Sequence, residues 1–328
     1  MRFHCSFSAF VLALLFCAHC APATAAGPQN YLFAGSDELE RIEPLIQRPD
    51  ISGVQAVYSW KSLEKTKDVY DFSRIEHDLN FLGRLNRKLF LQIQDRFFEI
   101  QDRNVPPYLL EEPVYGGGLV PQSDNPGENQ PEGHGWATQQ WNPAVRERFQ
   151  KLLAALAQKF DGRVMGINLP ETAVDIDIEH DRTGFTCEKY FAAEIENLAF
   201  ARKVFRKSHV VQYVNFWPCG WADEHGFLSR TFEFAEENHV GLGGPDIVPY
   251  RPGQMKNSYP FFNRYKGRLE LVAMAVQGPT LTYTNPKTGK KFTRDEFVDF
   301  AENYLGVKII FWSTSAPWLR EPSISRNP

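Results

Sequence analysis

Cysteine is scarce in this chain, and clustered positive charge is missing. Of 328 residues only five are cysteine, and 36 Lys and Arg against 40 Asp and Glu leave a formal net charge of −4. Without a Lys/Arg-rich run there is no concentrated positive field to hold a phosphate backbone, so nucleic acid is not an expected partner. No collagen-type glycine repeat is present, and 43% hydrophobic residues argue against a disordered chain. Spacing signatures of several chemistries are lacking too: no G-x-S-x-G elbow, no H-E-x-x-H pair, no P-loop and no H-x-H on the first strand. His134, His180, His209, His225 and His239 are scattered without ligand spacing, and no metal or cofactor is expected.

Beyond the N-terminus there is no long apolar run. Arg2 precedes the apolar stretch Phe7 to Cys17, and small residues follow as Ala23-Thr24-Ala25-Ala26. That order is expected of a secretory signal peptide over residues 1–26, too short for a membrane span of about 20 residues. A lipoprotein leader fits less well, because bulky Phe16 and His19 precede Cys17 and Cys20. The expected mature chain, 27–328, is then secreted or periplasmic. It keeps Cys187 and Cys219, which either pair in an oxidising compartment or stay as separate thiols.

What is present is alternation. Short apolar, β-branched and aromatic runs read as strands at Tyr31–Ala34, Gly53–Ser59, Lys88–Gln94, Val164–Leu169, Val210–Phe216, Val240–Gly243, Leu269–Val276 and Val307–Trp312. Amphipathic stretches between them predict helices over Asp37–Gln47, Ser73–Asn86, Pro143–Phe160, Glu188–Lys207 and Arg294–Tyr304, with two weaker ones near Asp223–Asn238 and Ser258–Lys266. Asn142-Pro143 supplies an N-cap and a first-turn proline, Ser73 with Glu76 has the form of a capping box, and Thr293 precedes an acidic first turn. The fold class is α/β. A doubly wound sheet is the competitor, but no G-x-G-x-x-G follows the first strand, and a single-domain (β/α)8 TIM barrel is expected. Residues 103–141, rich in Pro, Gly, Asn and Glu, read as a long loop inserted after the third strand and covering the substrate.

In such a barrel the strand C-termini face one shared mouth. The residues there are Tyr58, Trp60, Gln92, Gln94, Glu171, Asn215, Trp217, Asp246, Gln277 and Trp312. All seven tryptophans fall at or beyond these ends or in the long loop. Flat aromatic faces suit the C–H faces of sugar rings and amides suit their hydroxyls, so Tyr58, Trp60, Trp217 and Trp312 are expected to stack on sugar, and Gln92, Gln94, Asn215 and Gln277 to hydrogen-bond it. Glu171 is the expected general acid and Asp246, in a Gly-Gly-Pro-Asp turn, the expected second carboxylate; the bland alternatives are a surface glutamate and a turn-making aspartate. The run Asp175 to Asp181 alternates carboxylates, but lacks the glycine and closing glutamate of a calcium loop and reads as solvated.

Several segments resemble the clan A glycoside hydrolases. Trp60-Lys61-Ser62-Leu63-Glu64 with Val69-Tyr70-Asp71-Phe72-Ser73 resembles their motif after the second strand, Val105-Pro106-Pro107-Tyr108-Leu109 their proline-aromatic segment after the third, and Phe311-Trp312 the tryptophan ending their eighth. The resemblance implies a barrel acting on a polysaccharide or oligosaccharide. Two departures stand against a simple transfer. In that clan the acid/base glutamate directly follows an asparagine, whereas Leu169 and Pro170 separate Asn168 from Glu171. The clan's nucleophile, a glutamate ending the seventh strand, is replaced by Gln277, and a neutral amide cannot form a glycosyl ester. A sugar-binding protein without catalysis is therefore the alternative expectation, and a partner-binding scaffold a third.

Overall fold

Runs of β-branched and aromatic residues that are apolar on both faces form eight short strands, and these pair in parallel into one closed barrel. They are β1 (Gln29–Phe33), β2 (Gly53–Ser59), β3 (Lys88–Gln94), β4 (Gly166–Leu169), β5 (His209–Tyr213), β6 (Gly241–Gly244), β7 (Val272–Val276) and β8 (Ile309–Ser313). Each neighbours the next in sequence, and β8 closes on β1 with Tyr31 opposite Phe311. The expected (β/α)8 barrel is what forms. This computed structural model describes residues 1, 27–124 and 133–322. The expected leader lies outside the described residues except for Met1. Among the described residues no helix is long and apolar enough to cross a membrane.

The main helices are α1 (Ser73–Arg84), α2 (Pro143–Phe160), α3 (Cys187–Val204), α4 (Phe227–Glu237), α5 (Tyr259–Arg264) and α6 (Arg294–Asp299), the last running on as a wider turn over Phe300–Leu305. Asn142 caps α2, accepting from the Ala144 N–H at 2.9 Å, and Thr293 with Glu296 forms a complete capping box on α6. The box expected at Ser73 does not form. Asp71 reaches the same place first, its Oδ1 accepting both the Ser73 N–H at 3.1 Å and the Ser73 hydroxyl at 2.6 Å.

Large inward side chains fill the barrel, and glycines on neighbouring strands make the room. A β-carbon at Gly166 would lie 2.5 Å from the Phe90 ring, and one at Gly243 would lie 3.0 Å from the Tyr213 ring. Tyr31, Phe90, Val211, Tyr213, Ala275 and Phe311 belong to this inner cluster, with Tyr31 and Phe90 meeting Phe311 edge-on at 5.8 and 5.2 Å. The alternate strand residues face the helices in a separate, larger core. This inside–outside parity decides which strand-end residues can reach the mouth.

The insertion after β3 is not a plain loop. It carries a short helix at Pro107–Glu111 and two strands, Leu119–Asp124 and Gly133–Thr138, which join Arg96–Phe97 in a three-stranded antiparallel sheet. Pro121 is tolerated because its strand is at the sheet edge. Thr138 fastens the sheet to the barrel, donating its N–H and hydroxyl to the Asp95 carbonyl. Cys187 and Cys219 are joined in a disulfide with their Cα atoms 6.1 Å apart, tying the start of α3 to the segment after β5.

Candidate functional site

The motif that carries the resemblance most strongly turns out to be architectural. Trp60 is fully buried, its indole N–H donates to Glu64 Oε2 at 2.9 Å, and its ring meets Phe149 of α2 edge-on. Glu64 in turn takes Arg148, whose Nε donates to the Tyr108 hydroxyl at 3.0 Å. The tryptophan–glutamate motif and the proline-aromatic segment are thus two sides of one buried knot around Arg148. A charge taken out of water this completely is retained only with such partners.

The other expected stacking residues follow the same parity. Tyr58 points outward and gives its hydroxyl proton to Asp78 of α1 at 2.6 Å. Trp312 lies between barrel and helices, bonded to Asn30 at 2.9 Å and packed on Trp318. Trp217 is buried against Tyr190 and Phe191 of α3. Tyr58, Trp60 and Trp312 are buried on both faces, so the stacking role expected of them is corrected to packing, whereas Trp217 also borders a pocket with His225, Phe227 and Asn257. Exposed apolar side chains in the loops after β2 to β5 include, among the described residues, Val69, Phe98, Ile100, Val114, Ile178 and Trp221.

The two carboxylates each lie just past the C-terminal end of a barrel strand. Glu171 lies two residues beyond β4 and is half-buried. Its backbone is set by Thr172, which donates its N–H to the Tyr213 carbonyl at 3.0 Å and its hydroxyl to the Phe216 carbonyl at 2.8 Å. The Thr172 carbonyl accepts the Tyr190 hydroxyl at 3.0 Å, and Tyr190 is held by Arg96 in a buried cluster with Asp95 and Glu194. Asp246 lies two residues beyond β6. Its carbonyl accepts the Tyr259 hydroxyl at 3.0 Å, and its Oδ1 accepts the Thr280 hydroxyl. Burial raises the Asp246 pKa from its ordinary value, with the Thr280 hydrogen bond and Arg251 opposing. Asp246 borders a pocket of about 210 Å³, with Asn215, Gln254, Ser258, Tyr259 and Met274 among its walls.

One hydroxyl connects them. Tyr213 ends β5, points into the barrel and is 1% exposed. Burial raises its phenol pKa first, the Gln55 hydrogen bond opposes, and the charges of Asp246 and Glu171 both add to the rise. Both carboxylates are therefore near enough for their fields to act on the same oxygen. Gln55 sits below, its Nε2 donating to Tyr213 Oη at 2.8 Å and to Asn168 Oδ1 at 3.0 Å.

Of the expected amides, Gln92 and Gln94 lie half-buried on β3, with Gln92 alongside Asn168 in the sheet register. Asn215 is also at the mouth, but its Oδ1 accepts from Gln254 and its carbonyl from Asn257 at 3.0 Å, so its side chain already has a protein partner. Gln277 is half-buried immediately after β7. Sequence reasoning missed Gln55, Asn168 and Tyr213. The signal was there: Gln55 and Asn168 are uncharged polar residues in mid-strand, in strands otherwise apolar on both faces. The acidic run behaves as local structure, with Asp177 paired to His180 at 2.7 Å and Asp181 accepting the N–H groups of Thr183 and Phe185.

No protein-family model and no curated protein sequence matches the chain. Solved structures do resemble it. The catalytic domain of a β-amylase from Paenibacillus polymyxa matches at a TM-score of 0.56 with 10% identity, over 87% of this chain and 91% of that one. A family 39 glycoside hydrolase from the gut symbiont Bacteroides cellulosilyticus WH2 matches at 0.52 with 11% identity, over 88% of this chain and 56% of that one. A thermostable mutant of a xylanase from Cellvibrio japonicus matches at 0.50 with 11% identity, over 88% and 87%. The likeness shows a shared fold, a closed (β/α)8 barrel.

Proposed function

We propose that this protein is an exported glycoside hydrolase acting on a polysaccharide or oligosaccharide, with Glu171 and Asp246 as its carboxyl pair. The observation that carries the reading is the position of Glu171 and Asp246, each two residues beyond the C-terminal end of a barrel strand, β4 and β6. Burial raises the Asp246 pKa and so favours its protonated form, which suits it better than the half-buried Glu171 to the proton-donor role. The roles expected from the sequence are accordingly exchanged. Asp246 protonates the glycosidic oxygen as the bond from the anomeric carbon breaks, and Glu171 takes a proton from the water that attacks that carbon. Product leaves with inverted configuration, and the proton returns from Glu171 to Asp246 through solvent. Gln277, unable to form an ester, fits this water-dependent route as a hydrogen-bonding group. Export is supported by the leader-like N-terminus and by the Cys187–Cys219 disulfide, which belongs in an oxidising compartment.

The test is release of reducing ends from a panel of polysaccharides across pH by wild type, Glu171→Gln and Asp246→Asn. Loss of activity in both variants is expected. Undiminished turnover in either removes that residue from the mechanism. A second reading, sugar binding without cleavage, rests on Gln277 at the end of β7. Binding by wild type with no reducing-end release at any pH would favour it.

A further inference from the structure

Charge around the mouth is sorted by strand. The loop after β4, residues 170–186, carries Glu171, Asp175, Asp177, Glu179 and Asp181 against one arginine, Arg182. The loops after β6 and β7, residues 245–258 and 277–293, carry Arg251, Lys256, Lys287, Lys290 and Lys291 and, apart from Asp246, no acidic residue. All three loops leave strand C-termini, so they belong to one rim of the barrel. A chain with a formal net charge of −4 thus gathers positive charge on one side of its mouth.

The basic side is held in place. The loop after β7 folds back through a bridge between Thr284 and Lys291, and the Asn285 N–H donates to the Lys290 carbonyl at 2.8 Å. Asn285 is 4% exposed; its Nδ2 donates to Glu296 of α6 at 2.8 Å, and its Oδ1 accepts the Lys287 N–H at 2.8 Å. Two reciprocal contacts join this hairpin to the loop after β6. The Lys287 ammonium lies 4.1 Å from the Tyr250 ring centre, and the Arg251 guanidinium lies 5.0 Å from the Tyr283 ring centre and donates to the Tyr283 hydroxyl. The charge of Arg251 also reaches Asp246, so the basic surface runs up to that carboxylate.

Lys256, Lys287, Lys290 and Lys291 are exposed, and the ion-paired lysines among the described residues, Lys65, Lys67, Lys151 and Lys159, all lie elsewhere. Cations on one short hairpin are close on the scale of the Debye length, about 8 Å in physiological salt, so their fields add. A hairpin already fixed by its own hydrogen bonds pays little further ordering when an anion binds.

We propose that Lys287, Lys290 and Lys291, with Arg251, form an anion-binding rim, and that the polysaccharide taken at this mouth carries negative charge as uronate carboxylates or sulfate esters. The proposal rests on the carbohydrate reading above and narrows its substrate class.

The experiment measures binding of the full chain to polygalacturonate, dextran sulfate, neutral dextran, xylan and single-stranded DNA. Wild type is compared with Lys290→Gln/Lys291→Gln and with Lys287→Gln/Lys290→Gln/Lys291→Gln. At least one anionic glycan should bind wild type more tightly than either neutral one, and its affinity should fall about tenfold between about 50 and about 200 mM salt as counterions compete. The double variant should lose about tenfold in affinity for it, the worth of two exposed charge contacts, and the triple variant more. The double variant keeps Lys287 on Tyr250 and should keep the wild-type Tm, so it serves if the triple variant folds poorly. Tighter binding of polygalacturonate assigns the carboxylate, and of dextran sulfate the sulfate ester. Equal binding by wild type and both variants overturns the proposal, as does no binding of either anionic glycan, or tighter binding of DNA than of both. The reducing-end assay decides the broader reading separately. Lysine-dependent binding of an anionic glycan without any release keeps the rim and removes the hydrolase, whereas cleavage of neutral polysaccharides alone does the reverse.

Discussion

Arg96→Met is expected to leave a signature that depends on pH. Arg96 is 3% exposed and lies between Asp95 and Glu194, which are 1% and 3% exposed. Its Nη2 donates to Glu194 Oε1 at 2.9 Å, and Asp95 Oδ2 also accepts from Gln140 at 2.8 Å. Burial lifts the Glu194 pKa from 4.5 to about 7, Arg96 opposes, and the neighbouring Asp95 charge lifts it further. The native state therefore holds a proton on Glu194 that the unfolded chain has released. That contribution to stability is complete below about pH 4.5 and is lost as the pH rises through about 7. Removing the guanidinium leaves buried carboxylates without their cation, at a cost of about 3–5 kcal/mol. At about 2 °C per kcal/mol, suited to a chain of this size, Tm should fall by roughly 6–10 °C. The fall should be larger at pH 8 than at pH 5, where Glu194 carries its proton and needs the cation less. Thermal unfolding of both proteins at the two pH values reads this directly. An equal fall at both, or none, would refute the assignment of Glu194 as the titrating partner of Arg96.

Three further outcomes follow from the same structure. Because burial raises the Asp246 pKa, ionising it costs stability as pH rises through the folded value, so Asp246→Asn should match or exceed the wild-type Tm at pH 8 while activity falls about 10²–10⁴-fold; a lower Tm would count against the burial argument. Cys187→Ser opens a link between residues 32 apart and should cost about 3–4 kcal/mol by chain entropy, with reductant lowering the Tm of wild type but not of the variant. Trp312→Ala should cost about 3–5 kcal/mol and leave sugar affinity of the folded protein unchanged; weakened binding at an unchanged Tm would return Trp312 to the site.

The strands were legible because parallel-barrel strands are apolar on both faces, and β2 and β3 form over the residues expected. The same property hid the site. With both faces apolar, nothing in Ala56-Val57-Tyr58 or Phe311-Trp312 says which residue faces the barrel axis. Tyr58 and Trp312 face the helices, so proximity to a strand end was a poor guide to their role. The positions of Glu171 and Asp246 just past β4 and β6 were legible because the strands before them are short buried runs with clear ends. The Arg148 and Arg96 clusters were not, since each joins residues far apart in the chain. Arg148 bonds Glu64 and Tyr108, and Arg96 bonds Glu194.

The central claim is that Glu171 and Asp246 work on one glycosidic bond. A crystal structure of the Glu171→Gln variant soaked with a polysaccharide fragment that wild type cleaves tests it most directly. A sugar ring is expected between the two carboxyl positions, with the glycosidic oxygen in hydrogen-bond reach of Asp246 and a separation of about 6.5–9.5 Å between Asp246 and residue 171, as inversion requires. A sugar touching neither Asp246 nor residue 171, or a separation well outside that range, would contradict it.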